Sequence, residues 1–231
     1  MPKTPITAKF VRIPVEGARL PIAPKLDDFL DPKKMCVLEL GMQKGNLDAA
    51  CGYFPEEQSK KLIDDVNAFN EKCRSAGIPV IHIGSSWRED GLDLRTAQSP
   101  RILALNGKKF FPNPDMVQGS ELCAFATDFV EGDYKLLGAK RYNAFEGTDL
   151  EFLLKVLDRK IILLVGAGYD CIGMGTGFCG MCKDFKTLVV EDLFPSYCEE
   201  LDEECKKAST MFIGLVVRSN ELTAEIEAAK A

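Results

Sequence analysis

Apolar positions along this chain alternate between two patterns, unbroken runs and one-in-three-or-four spacing. Cys36 to Met42 is an apolar run interrupted by Glu39, as expected of a parallel strand covered on both faces. Pro55 to Ala76 instead brings Leu62, Val66, Phe69 and Cys73 to one face at helical period, and Gly77 suits the stop. Ile78 to Ile83 predicts a second strand and Tyr134 to Leu137 a third. Thr148, three residues before Glu151, has capping-box spacing, and Leu150, Leu153, Leu154 and Leu157 then share a helix face. Ile161 to Val165 predicts the fourth strand and Lys186 to Val190 the fifth. Ser196, three before Glu199, repeats the capping spacing ahead of Leu201, Cys205 and Ala208. Met211 to Val217 reads as the sixth strand, with a closing helix from Ser219.

Strands alternating with helices predict an α/β fold: a Rossmann-like three-layer sandwich whose mainly parallel sheet of about six strands has helices on both faces. Residues 35–231 read as one domain. Residues 1–34, with Pro2, Pro5, Pro14, Pro21, Pro24 and Pro32, read as an extended arm with a short strand near Lys9 to Pro14. A partly disordered tail fits the same composition. The long connection over 84–118 has the length of a segment that carries function or covers a site.

A net charge of −6 over 231 residues argues against a nucleic-acid partner, which would call for clustered Lys and Arg. No apolar run approaches the roughly 20 residues that span a bilayer, and no signal-peptide pattern opens the chain. A cytoplasmic protein with no membrane partner is expected. Nine cysteines, an odd number placed inside predicted helices and strands, argue against a disulfide framework, and most are expected to be reduced core residues.

Ligands of such sheets bind beyond the carboxyl ends of the strands. That rule gathers Gly41 to Gln43, Gly84 to Trp87, Ala139 to Arg141 and Gly166 to Cys171 around one mouth. Gly166 and Gly168 allow a tight turn, and Cys171 falls where a helix should begin, a position that favours a thiolate. The run Arg141-Tyr142-Asn143-Ala144-Phe145, followed by Thr148-Asp149-Leu150 and this turn, resembles the isochorismatase-like cysteine hydrolases. That superfamily includes nicotinamidases and N-carbamoylsarcosine amidohydrolases. The resemblance extends from about Met35 to about Leu215.

The resemblance implies a triad: an Asp two before a Gln as base, a Lys two before the Arg-Tyr run, and a Cys six after the fourth-strand Gly as nucleophile. Here Gln43 puts Gly41 at the Asp position. The Lys position falls on Ala139, one short of Lys140. The Cys position falls on Ile172, one past Cys171, and Thr176 supports that ungapped count. The candidate catalytic set is therefore Cys171 as nucleophile, Lys140 as cation and Glu39 as substitute base. Gln43, Trp87, Arg141, Gly166, Gly168, Asp170 and Ile172 are candidate substrate-binding residues. Four of these have a structural alternative: Glu39 paired with Lys140, Arg141 or backbone, Asp170 as a cap, Cys171 as filler of a tight turn, and Trp87 as an anchor for its loop along with Phe110 and Phe111. Tyr142 and Phe145 are expected in the core.

Two functions stay open. One is hydrolysis of an amide, ureido or related C–N bond in a small molecule through a thiolate. The other is a non-catalytic relative that keeps the fold for small-molecule binding or assembly. The resemblance also implies a homo-oligomer, a dimer or larger. No cofactor or metal is expected. Gly166-x-Gly168 with Glu191 lacks the third glycine of a nucleotide fingerprint, Cys179-x-x-Cys182 has no second pair, and His82, the sole histidine, lies mid-strand.

Overall fold

The structure, a computed structural model, describes residues 29–48, 53–94, 113 and 115–229. Most of the expected arm with its short strand, Phe110, Phe111 and Cys51 lie outside the described residues.

Among the described residues six strands form one sheet: β1 (Met35–Leu40), β2 (Val80–Ile83), β3 (Tyr134–Leu136), β4 (Ile161–Gly166), β5 (Lys186–Val190) and β6 (Leu215–Val217). Their spatial order is β3-β2-β1-β4-β5-β6 and every pairing is parallel. The helices are α1 (Lys44–Leu47), α2 (Glu56–Ser75), α3 (Leu150–Val156), α4 (Met174–Cys182), α5 (Glu199–Phe212) and α6 (Ser219–Ala228). The α/β sandwich expected from the period changes is therefore the fold observed.

Strand alternation assigns the two cores. Met35, Val37, Leu163 and Val165 face Leu62, Val66 and Phe69 of α2 and Leu222 and Ile226 of α6. Cys36, Leu38, Leu40, Ile162 and Leu164 face the opposite layer, built on Leu150 and Leu154 of α3, Met174 and Cys179 of α4 and Cys205 of α5. Every residue of β1 and β4 is buried, and each apolar side chain so enclosed contributes roughly 1.5–3 kcal/mol.

The chain winds outward from β1 through β2 to β3, then from β4 through β5 to β6 in the other direction. The reversal leaves a crevice beyond the ends of β1 and β4, where doubly wound sheets bind ligands. Gly166 closes that junction. Its φ of 141° lies in a region L side chains rarely adopt, and a Cβ there would sit 2.0 Å from the Leu40 carbonyl oxygen.

Three local expectations are corrected. Met211 and Phe212 belong to the end of α5 and are exposed, so β6 begins only at Leu215. Ile213 and Gly214 both donate their N–H to the Ser209 carbonyl, and an apolar run alone cannot distinguish such a helix end from a strand. Neither capping box forms. Thr148 Oγ1 donates to the Ala144 carbonyl and accepts from Leu150 N, while Glu151 turns outward to Lys155 and Lys183. Asp202, rather than Glu199, takes the Ser196 N–H at 2.9 Å.

Candidate functional site

Gly41 ends β1 with a φ of 71°, a left-handed turn that suits glycine, and sends the chain into α1. Beyond β2, the Gln43 side chain fastens the next segment. Its Nε2 donates to the carbonyls of Ser85 and Cys123, both at 2.8 Å, and its Oε1 accepts the Ser85 N–H at 2.7 Å. Gly84 leaves room for this strut, since a Cβ there would lie 2.5 Å from Gln43 Cδ. Gln43 is fully buried and is not among the residues lining the mouth.

The mouth is lined by Gly41, Asn46, Gly84, Ser85, Trp87, Met116, Ala139, Lys140, Arg141, Tyr142, Ile172 and Tyr197. The space they leave is about 30 Å³, far below the roughly 300–1,000 Å³ of pockets for small organic ligands. Asn46 Nδ2 donates to the Gly41 carbonyl at 2.9 Å, Ser85 Oγ to the Ala139 carbonyl at 2.5 Å and Trp87 Nε1 to the Asn113 carbonyl at 3.1 Å. These three polar side chains of the lining are thus engaged with the protein's own backbone.

After β4 the chain turns at Gly168, φ 86°, into a five-residue π-helical turn, Tyr169–Gly173, which leads directly into α4. This wide turn carries the one-residue ambiguity between Cys171 and Ile172. Ile172 faces the mouth. Cys171 is half-buried outside the lining, with its Sγ 3.2 Å from the Gly168 carbonyl oxygen. Asp170 lies behind the turn and accepts the N–H groups of Tyr197 at 2.9 Å and Cys198 at 3.1 Å. Burial raises its carboxyl pKa despite those two bonds.

Lys140 reaches the mouth, where its Nζ is ion-paired with Asp93. Burial of Asp93 opposes ionisation, yet Lys140 and backbone N–H groups keep its pKa below the usual carboxylate value. Arg141 at the rim donates to the carbonyls of Lys140 at 2.8 Å and Asp93 at 3.3 Å. Glu39 lies elsewhere, on the α2 face of the sheet. It is fully buried, and its partners are Asn70, His82 and Thr127 rather than the expected Lys140, Arg141 or backbone. The structure therefore brings Lys140, Trp87, Arg141 and Ile172 together, sets Gly166, Gly168 and Asp170 in or behind the turn, and leaves Glu39 and Cys171 outside the lining.

Sequence reasoning missed Tyr197 and Asp93 and placed Tyr142, which lines the mouth, in the core. The Tyr197 ring packs at a tilt against Tyr53 and Phe54 at centroid distances of 4.7 and 5.5 Å. Its ring covers the turn so closely that a Cβ on Gly168 would lie 2.2 Å from Cε2. Its hydroxyl lies 3.9 Å from where a Gly41 Cβ would be. Burial holds this phenol well above its ordinary pKa, so it stays protonated. Nothing in the local pattern around residue 197 signals this role.

A family model for the isochorismatase domain matches residues 35–219. The chain belongs to the isochorismatase family. Among curated relatives, ureidoacrylate amidohydrolase RutB of Caulobacter segnis is 24% identical over 205 residues, 83% of this chain and 81% of that protein. Among solved structures, an isochorismatase family protein from Burkholderia thailandensis matches with a TM-score of 0.71 at 19% identity, over 86% of this chain and 97% of that one. N-carbamoylsarcosine amidase from Thermoplasma acidophilum matches with a TM-score of 0.62 at 19% identity, over 81% of this chain and 97% of that one. These structural likenesses establish the isochorismatase fold. Among the described residues no group of three or more His, Cys, Asp and Glu side chains is arranged to hold a metal, and no helix is long and apolar enough to cross a membrane.

Proposed function

We propose that this isochorismatase-family chain keeps the family fold and mouth without thiol-based hydrolysis. The observation that carries this reading is the convergence of positions 41, 139 and 172 on one lining as Gly, Ala and Ile. Those are the positions at which the family pattern places the base, the cation and the nucleophile. None of the three carries a group able to take a proton, hold an anion or attack a carbon.

Substitutes are also poorly placed. Cys171 directs its sulfur to the Gly168 carbonyl and lies outside the residues that line the mouth. Lys140 is neutralised by Asp93, and Glu39 is saturated by three partners within the sheet. Tyr197, Ile172 and Trp87 line the narrow space at the mouth, and the role that fits it is recognition of a small group at its rim or assembly.

The hydrolase reading retains one supporting feature, since Lys140 and Arg141 set two cations at the mouth. Ureidoacrylate, the substrate class named for the RutB relative, is the natural first compound to assay. The reading predicts that the wild-type chain and Cys171→Ser release ammonia from ureidoacrylate and from simple amides at the same background rate. A wild-type rate more than about tenfold above that of Cys171→Ser, a loss of over about 1.4 kcal/mol in transition-state stabilisation, would establish Cys171 as the nucleophile instead.

A further inference from the structure

On the α2 side of the sheet, away from the mouth, four side chains of alternating charge run from core to surface. They are Glu39 of β1, His82 of β2, Asp133 ahead of β3 and Arg74 of α2. The His82 ring is fully buried, with Nδ1 2.8 Å from Glu39 Oε1 and Nε2 3.1 Å from Asp133 Oδ2. Glu39 also accepts from Thr127 Oγ1 at 2.5 Å and from Asn70 Nδ2 at 2.6 Å. Asp133 also accepts from Arg74 Nε at 3.0 Å, Arg74 Nη2 at 2.7 Å and Val130 N at 3.0 Å.

Both carboxylates are surrounded by donors and act as acceptors only. A neutral imidazole has one N–H, so it serves one of them and turns a lone pair on the other. Only the imidazolium donates to both at once. Burial alone lowers the pKa of His82, but Glu39 and then Asp133 outweigh it and set the value above the ordinary one. Asp133 is held below the usual carboxylate range, with Arg74, Val130 N and His82 overcoming its burial. Among the described residues, nearby charged groups include Lys135, which registers with His82 across to β3 and sits 5.9 Å over the Phe129 ring, and Glu71, 3.9 Å from Arg74.

The cluster fastens one segment of chain, residues 124–133. Thr127 and Asp133 bond the cluster directly, while the Phe125 and Phe129 rings lie 5.2 and 5.3 Å from the His82 ring. Asn67 Oδ1 and Arg74 Nη2 hold the N–H and carbonyl of Asp128. The front of the same segment pairs with the chain that leaves β1 for the mouth. Lys44 N donates to the Ala124 carbonyl at 2.9 Å and Ala126 N to the Met42 carbonyl at 2.8 Å. Gln43 reaches Cys123 and Ser85 from there, and Trp87 of the lining follows two residues after Ser85.

We propose that the Glu39–His82–Asp133 cluster is a pH-operated latch, which ties residues 124–133 to the sheet and through Gln43 sets the shape of the mouth. Because the folded latch favours the imidazolium, its contribution is complete below the unfolded histidine value of about 6.5 and is lost as pH rises through the raised value of His82. The latch does not depend on whether the mouth hydrolyses anything.

The chain has one histidine and one tryptophan, so both ends of the device are read without mutation. The experiment follows the ring resonances of isotope-labelled His82, the hydrogen exchange of the Ala126, Asp128, Val130 and Asp133 amides, and the emission of Trp87 over one pH series. Exchange rates are corrected for their intrinsic pH dependence, with β4 amides as the reference for global unfolding. All three readouts are expected to share one midpoint above about pH 6.5 while the β4 amides stay protected. Titration of His82 at or below that value overturns the proposal. So does unchanged protection of the segment through the midpoint, Trp87 emission that ignores it, or loss of β4 protection alongside.

Discussion

Glu39→Gln is expected to destabilise the fold by about 3–5 kcal/mol, lowering the melting temperature by roughly 10 °C, although the new side chain has nearly the same shape. The reason is the completeness of the cluster. Glu39 is fully buried and accepts from Thr127 Oγ1, Asn70 Nδ2 and the His82 ring. An amide keeps one acceptor oxygen and puts an NH₂ where a carboxylate oxygen now accepts, so at least one of the three present hydrogen bonds is lost or reversed. It also leaves the His82 charge with Asp133 alone. A buried ion whose partner is removed costs far more than the intact pair contributes. By contrast, Lys60→Ala, which breaks the exposed pair with Asp64, is expected to leave the melting temperature unchanged within error. Thermal denaturation of the two variants checks both expectations. A Glu39→Gln protein as stable as wild type would mean that the cluster is not an ionic unit.

Gly168→Ala is expected to be strongly destabilising alone and partly rescued by Tyr197→Ala. Two penalties meet at Gly168. Its φ of 86° is left-handed, costing roughly 1–2 kcal/mol for a residue with a Cβ. The added Cβ would also lie 2.2 Å from Tyr197 Cε2. The Tyr197 ring is pinned by Tyr53 and Phe54 and cannot yield without loss of that packing. Removing the ring relieves the second penalty and not the first. The double-mutant cycle should therefore show a favourable coupling of about 1–3 kcal/mol. Additive costs would show that Tyr197 does not occupy the turn in solution.

Fold and site were legible to different degrees. Unbroken runs such as Ile161 to Val165 identify strands buried on both faces, and Leu62, Val66, Phe69 and Cys73 identify the α2 face, because burial dictates period. The mouth followed from topology alone: once strands alternate with helices, the residues after β1, β2 and β4 must meet. The resemblance then marked positions 41, 139 and 172, which the structure brings to one lining as Gly, Ala and Ile. What could not be read is side-chain direction where the backbone departs from regular geometry. Cys171 and Ile172 lie inside a π-helical turn, for which neither the strand period nor the helix period decides which side chain faces the mouth. Pairings across long sequence separations were equally hidden. Glu39 meets His82 through strand register and Thr127 through a loop 88 residues away, so its partners were not the cations next to the motif. Tyr197 enters the mouth from beyond β5 with no motif to announce it.

The central claim, that no activated thiol serves the mouth, is tested most directly by the alkylation rate of each cysteine, located by peptide mapping, between about pH 6 and 9. This measurement does not require the substrate to be known. Cys171, half-buried with its sulfur on the Gly168 carbonyl, is predicted to label no faster than exposed Cys182 at every pH. Labelling of Cys171 that outpaces Cys182 at the acid end of that range would reveal a stabilised thiolate and contradict the account.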